Sequence, residues 1–452
     1  MDRPDLLKRL SSAPLAILAV LIWIPSFVCG QTQDFTASLD VLLQQRHYPE
    51  LEHALATSAS VLQPLSRAYF QGVMANRVNR VQKSVRLLEP LIPSLLATSP
   101  VRAELALCTL ADDYAKLFRY GNAARLYAQA NRVAEQQDKT SECNAGREAS
   151  RWALLSSARA QTIASVGVFT IRGKRDAIGL FQVPITSGNY TGSWMVDSGA
   201  NLSVVSRSVA DKLGVKPSTR SETAQGVAGL SVSIRTAVIP EIRLGPVLIR
   251  NVAVLVVEDS DLSFPKFDYR VDGCLGLPVL VALGRVTFYH DGRIRFGPGE
   301  KARDKGMGSH NFFLEKFTPL IMADFGHRKQ LFTLDTGAMG TVLSAEFYVE
   351  NRTIVSVHEM VSLELSGAGG TLAVPAYEVP SLVGRFGGSC TSVKDLAIRT
   401  GATSRTDEFY GDIGESALSS FSSFSLDFHA MHFSVSGGDP GDCTDSVTLA
   451  SF

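Results

Sequence analysis

Trp194-Met195-Val196-Asp197-Ser198-Gly199-Ala200 recurs as Phe332-Thr333-Leu334-Asp335-Thr336-Gly337-Ala338, 138 residues further along the chain. The surroundings recur with it. Each copy continues into a short apolar run ending in serine, Val204-Val205-Ser206 and Val342-Leu343-Ser344. A glycine-rich stretch follows, Gln225-Gly226-Val227-Ala228-Gly229 in one copy and Ser366-Gly367-Ala368-Gly369-Gly370 in the other. A second glycine motif, Cys274-Leu275-Gly276 or Asp412-Ile413-Gly414, ends 79 residues after each aspartate. At average residue usage, a chain of this length holds roughly 0.3 Asp-Ser/Thr-Gly triplets by chance. Two triplets inside matching frames mark an internal duplication.

The duplicated frame carries chemistry. A glycine after a carboxylate permits a tight turn and the close approach of another backbone. A Ser or Thr hydroxyl can lock that turn by bonding across to a partner loop. If two such loops meet about a pseudo-twofold axis, Asp197 and Asp335 come together, cannot both ionise, and share a proton. One then acts as base toward a water and the other as acid toward a carbonyl, which hydrolyses an amide without a metal or a cofactor. Either aspartate alone reads as a turn residue, the commoner role of Asp beside Gly. The duplication weighs against that reading for the pair.

From about Val166 the pattern is β-rich, with strand-like runs at Ile234 to Ile242, Val247 to Val257, Val286 to Phe296 and Phe424 to Val435. Taken with the order of motifs, both copies resemble aspartic proteases of the retropepsin-like type, over residues 166–297 and 307–435. The resemblance implies two β-barrel lobes fused in one chain, with a cleft between them and Asp197 and Asp335 as catalytic residues at its floor. It implies interlocking hydroxyls at Ser198 and Thr336, and amides near the carboxylates at Gly199 and Gly337. It also implies flaps around Gly226, Gly229, Gly367 and Gly370, and close packing of Gly276 and Gly414 behind the aspartates. Ala200 and Ala338 stand where pepsin-like enzymes carry a hydroxyl, so fewer bonds reach the carboxylates and a weakly acidic optimum is expected. Two residues depart from the pattern, Thr333 at an apolar position and Asp412 in the second glycine motif, and a perturbed second lobe is expected there. The competing reading is a non-catalytic clamp that binds peptide or protein.

Upstream, from about Asp34 to Ala160, apolar residues recur three and four apart. Two stretches resemble tetratricopeptide helix pairs: Ala68 to Gly72 with Leu87-Leu88, and Leu110 to Tyr114 with Tyr120 to Ala124, Tyr127 and Ala130. This implies a helical platform for a protein partner, a domain that only packs against the rest, or a prosegment. Further upstream, Arg3, Lys8 and Arg9 precede an apolar run from Ala13 to Val28 that ends at Gly30. That is the layout of a signal peptide, expected to send the chain to a secreted or periplasmic location. Uncleaved, the same segment would be a membrane anchor, although Pro25 interrupts it and it is short for a span.

The expected organisation is a signal peptide at 1–30, a helical domain at 31–162, and protease lobes at 163–300 and 301–452. With 44 basic and 44 acidic residues, the charge balance gives no nucleic-acid footprint. At 45% hydrophobic and 19% charged, the chain is neither disordered nor a coiled coil. Six cysteines are too few for a disulfide scaffold and lack zinc spacing. Cys108 with Cys143 and Cys390 with Cys443 are candidate bridges, and Cys274 reads as a buried thiol. Asn189, Asn201 and Asn351 head glycosylation acceptor triplets, and a glycan on Asn201 would block the cleft.

Overall fold

The computed structural model describes residues 26–164, 167–226, 230–299, 310–326, 329–401 and 409–438. Most of the expected signal peptide, Cys443 and Gly229 lie outside them. A helical N-terminal region precedes a mainly-β region.

The helices are α1 (Ser26–Gln44), α2 (Tyr48–Ser58), α3 (Pro64–Arg77), α4 (Val81–Leu88), α5 (Ile92–Thr98), α6 (Pro100–Lys116), α7 (Tyr120–Glu135) and α8 (Ala145–Ala153). The expected cleavage point after Gly30 falls inside α1. Pro64 and Pro100 open α3 and α6, where a missing N–H costs no helical bond. Small residues let neighbouring helices close up. A Cβ on Gly72 of α3 would lie 2.6 Å from Cγ of Leu88 on α4. No helix among the described residues is long and apolar enough to cross a membrane.

Cys108 and Cys143 form a disulfide with a Cα–Cα distance of 6.4 Å. Cys143 sits in the turn before α8 rather than on a helix, so the bridge ties α6 to an interhelical turn. Cys390 is also disulfide-bonded, and Cys274 is a buried free thiol.

In the β region, each copy of the motif lies in its own sheet, and the strand order is shared. Strand Tyr190–Val196 leads into Asp197 and pairs in parallel with Gly273–Leu275. The latter pairs antiparallel with Ser203–Ser206, which in turn runs parallel to Val247–Val257. The second copy repeats this with Lys329–Leu334, Gly411–Ile413, Val342–Leu343 and Ser389–Arg399. The serines closing the apolar runs have a physical role. Ser206 and Ser344 cap the following helices, accepting from the amides of Val209 and Phe347 at 3.3 Å each.

Two expected strands are hairpins instead. Val286 to Phe296 divides into Arg285–Tyr289 and Arg293–Gly297, turning at Gly292 with φ of 87°. Phe424 to Val435 divides into Ser423–Asp427 and His432–Ser436. Together with Phe169–Arg172 they build one five-stranded sheet to which both halves contribute, with Val286 opposite Leu426 and Phe288 opposite Phe424. The stacked rings of Phe288 and Phe424, 4.7 Å apart, bury that seam.

The helical region shares the main hydrophobic core with the β region. The contact is centred on Glu315, which accepts from Arg46 Nε at 3.1 Å and Tyr48 Oη at 2.5 Å. Arg77 Nε donates to the same Tyr48 oxygen at 3.1 Å. Burial alone would raise the Glu315 carboxyl, but the charges of Arg77 and Arg46 pull it down to about 2. A depressed carboxyl contributes stability that is present above the unfolded pKa near 4.5 and lost as pH falls toward 2. The docking therefore survives at weakly acidic pH. Glu315→Gln is expected to cost about 1.5–3 kcal/mol, because it weakens the bonds from Arg46 and Tyr48 and removes one of the two carboxylate charges near buried Arg77. Denaturant melts of the two proteins at pH 7 and pH 3 check this, and the difference shrinks at the lower pH.

Candidate active site

Asp197 and Asp335 each sit on the turn that leaves an interior strand of their sheet. Their backbones are anchored identically, with Asp197 N–H donating to Leu275 O and Asp335 N–H to Ile413 O, both at 3.0 Å. The two turns face each other. A Cβ built on Gly199 would lie 2.6 Å from Cγ of Asp335, and one on Gly337 would lie 2.6 Å from Cγ of Asp197. These glycines are needed because each turn's backbone touches the opposite carboxylate.

Beneath the carboxylates the hydroxyls interlock. Ser198 Oγ donates to Leu334 O at 2.8 Å and accepts from Thr336 N–H at 3.1 Å. Thr336 Oγ1 donates to Val196 O at 2.8 Å and accepts from Ser198 N–H at 3.0 Å. Both residues are fully buried. Four reciprocal bonds thus fix one turn against the other.

Local amides hold the carboxylates from below. Asp197 Oδ1 accepts from the amides of Gly199 at 2.8 Å and Ala200 at 3.0 Å, and Asp335 Oδ1 accepts from Gly337 at 2.8 Å. Both acids are raised, chiefly by desolvation. Asp197 is raised further by the charge of Asp335 and by their mutual hydrogen bond. Asp335 is drawn back by the Gly337 amide and by the same bond from Asp197, with smaller pulls from the amides of Ala338 and Gly199. Both residues are only half-buried, so one side of the pair is reachable from outside. Burial also pushes the Cys274 thiol well up, and the neighbouring Asp197 charge adds to this.

Gly276 and Gly414 lie where a side chain cannot fit. A Cβ would come within 2.5 Å of the Leu202 carbonyl carbon in one copy and 2.2 Å of Gly340 O in the other. Their amides identify two site residues that the motif order alone had not singled out. Gly276 N–H donates to Ser203 Oγ at 3.0 Å and Gly414 N–H to Thr341 Oγ1 at 3.2 Å. Both hydroxyls stand six residues after an aspartate, a match that was readable in the sequence. The Asn201 acceptor triplet ends in this buried, occupied Ser203.

The two departures in the second copy compensate each other. Thr333 and Asp412 are register partners, and Thr333 Oγ1 donates to Asp412 Oδ1. In the first copy the same two places hold Met195 and Cys274, also register partners. The expected perturbation is therefore absent: one copy has an apolar pair where the other has a hydrogen-bonded polar pair. Installing the first pair in the second copy should show it. Thr333→Met with Asp412→Cys is expected to be more stable than the two single changes predict by about 1 kcal/mol, measured by a double-mutant cycle in denaturant.

The glycine-rich tips meet. A Cβ on Gly226 would lie 2.1 Å from Ala368 O, and the Gly369 amide donates to Asp261 O at 3.0 Å. Gly367 and Gly370 pair at the end of the hairpin formed by strands Glu359–Gly367 and Gly370–Phe386. A small apolar cluster, separate from the main core, joins the tips to the turn. It connects Val232 and Ala368 with Met195, Cys274 and Ala200 beside Asp197.

The arrangement is thus two half-buried carboxylates from duplicated turns, locked together by buried hydroxyls and faced by paired hairpin tips. No curated protein matches the chain. Residues 183–279, about a fifth of the chain and including Asp197, Ser198, Gly199 and Gly276, match the family model described as aspartyl protease, which points to a peptidase acting on peptides or proteins.

Proposed function

We propose that the chain is an aspartic endopeptidase in which Asp197 and Asp335 form one catalytic pair at the floor of a cleft between two retropepsin-like lobes. The observation that carries this is the mutual contact of the two turns, each glycine backed against the opposite carboxylate. The two crowded carboxyls hold one proton between them, and the cycle starts with it on Asp197 and with Asp335 ionised. A water between the carboxylates gives a proton to Asp335 as its oxygen bonds to the scissile carbonyl carbon. Asp197 gives its proton to the carbonyl oxygen. The resulting gem-diol collapses when the amide nitrogen takes the proton from Asp335, the C–N bond breaks, and one gem-diol hydroxyl returns its proton to Asp197, which leaves a carboxylic acid and restores the starting pair. The apolar cluster under the hairpin tips excludes bulk water during these steps.

The helical region, with its tetratricopeptide-like helix pairs, remains part of the working enzyme, because its removal would uncover the core it shares with the β region. Residues 1–30 serve as an export signal, placing the enzyme outside the cytoplasm, where the Cys108–Cys143 bridge is at home.

The test is incubation of the chain with a diverse peptide library in ¹⁸O-water from pH 3 to 8. Internal cleavage, with one ¹⁸O in each new carboxylate, is expected at weakly acidic pH. No cleavage by the folded chain at any pH would favour the peptide-binding clamp.

A further inference from the structure

Each aspartate turn is braced by the residue that follows its second glycine motif. Leu277 N–H donates to Ala200 O and Glu415 N–H to Ala338 O, both at 2.9 Å. The side chains at these matched places differ in kind. Leu277 is fully buried in the main apolar core, whereas Glu415 is a carboxylate that is only 6% exposed. The second brace also has more bonds. Ser416 N–H donates to Met339 O and Ser416 Oγ accepts from Thr341 N–H, both at 2.9 Å, while its counterpart Pro278 has no N–H to give.

The Glu415 carboxylate is held from the other half of the β region. Arg175, on the strand Lys174–Arg175 at the first copy's sheet, donates from Nη1 to Glu415 Oε1 and, at 2.6 Å, to Gly179 O. Among the described residues no other side chain bonds this carboxylate, and Glu415 Oε2 has no hydrogen-bond partner. The Arg175 guanidinium also lies over the Phe181 ring, 4.1 Å from its centroid. Phe181 packs in turn against Phe288 and Phe424, the stacked rings of the sheet that both halves share. One side chain thus meets a first-copy loop, the seam between the halves and the residue that braces the Asp335 turn.

We propose that Arg175 and Glu415 are positioning residues for the reaction. Their ion pair carries the alignment of the shared sheet to the Asp335 turn, and so sets where that carboxylate stands relative to Asp197. Glu415 acts through its backbone bond to Ala338, three residues past Asp335, and Arg175 acts through Glu415. The role rests on the reading of Asp197 and Asp335 as the hydrolytic pair. It also accounts for the asymmetry: the seam needs one cross-link to the second turn, and the matched place in the first copy is filled by Leu277 in the core.

The decisive variant of the full chain is Arg175→Met with Glu415→Leu, which gives the second copy the first copy's residue. Replacing a buried ion pair with apolar side chains of similar volume is often neutral or stabilising. A pair that only stabilises the fold therefore predicts unchanged turnover. Positioning predicts that kcat on a peptide the parent cleaves falls about tenfold or more while KM stays within about twofold, since displacements near 1 Å at a reacting centre cost about 10². Urea melts establish that the variant is folded, and if it is not, Glu415→Gln carries the same test with a loss of several-fold. An unchanged kcat, or a loss confined to KM, overturns the inference. Carboxyl-carbon NMR of ¹³C-aspartate supplies a readout without activity, because the titration of Asp197 depends on how near Asp335 stands. A shifted Asp197 titration in the variant, with no cleavage by the parent, would keep the positioning role and defeat the hydrolytic reading. An Asp197 titration identical in the two proteins overturns the positioning role whatever the activity.

Discussion

Asp197→Asn is expected to lower kcat/KM by about 10²–10⁴ and, at pH 7, to raise stability by about 1 kcal/mol. The two effects share one cause. Desolvation and the Asp335 charge raise the Asp197 carboxyl, so the folded chain binds a proton that the unfolded chain has released. Such a group contributes most stability below the ordinary carboxylate pKa of 3.8, and the contribution is lost as pH rises through the folded-state value. At neutral pH the crowded pair is therefore a burden on the fold, and a neutral amide relieves it. Asp335→Asn should act in the same sense, since it removes the same repulsion. Thermal melts at pH 4 and pH 7 check the sign: the advantage of the variant grows with pH. A variant destabilised at pH 7 would mean that the carboxylates are held by favourable contacts rather than crowded.

Thr336→Val is expected to cost about 2–4 kcal/mol and to lower kcat by about a hundredfold. The change preserves shape but removes a hydroxyl that serves two buried backbone groups, Val196 C=O and Ser198 N–H. Each orphaned group costs about 1–3 kcal/mol. The rate falls because the two turns lose their mutual alignment, and displacements near 1 Å at a reacting centre cost about 10². Ser198→Ala should behave alike through Leu334 C=O and Thr336 N–H. Both hydroxyls hold the same junction, so the double variant should lose less than the sum of the singles. Urea denaturation of the four proteins measures this coupling.

Much of the site was legible because duplication converts weak motifs into a strong one. The two Asp-Ser/Thr-Gly turns, the hydroxyls, Gly276 and Gly414 all fall where equal frames place them. The hairpin tips at Gly226 and Gly367–Gly370 were also readable, since glycine runs between strand-like segments mark turns. What escaped depends on contacts between residues far apart in sequence. Thr333 and Asp412 read as two separate defects, because only the parallel register of their strands shows that they bond. Ser203 and Thr341 stand at matched positions, but a hydroxyl there has no local consequence until an amide 73 residues away meets it. The shared five-stranded sheet was hidden because Val286 to Phe296 and Phe424 to Val435 read as single strands. The polar turn His290–Gly292 divides the first run, and the turn Phe428–Met431, where Met431 takes a positive φ of 48°, divides the second. The docking of the helices through Arg46, Tyr48 and Arg77 onto Glu315 lies equally beyond local periodicity.

The central claim is that Asp197 and Asp335 are one titrating unit. Carboxyl-carbon NMR of the chain labelled with ¹³C-aspartate, in the parent and in Asp335→Asn, tests it without relying on activity. Asp197 is expected to titrate well above ordinary aspartates in the parent and to move down when Asp335 is neutralised. An Asp197 resonance that titrates with the surface aspartates, and does not move in the variant, would contradict it.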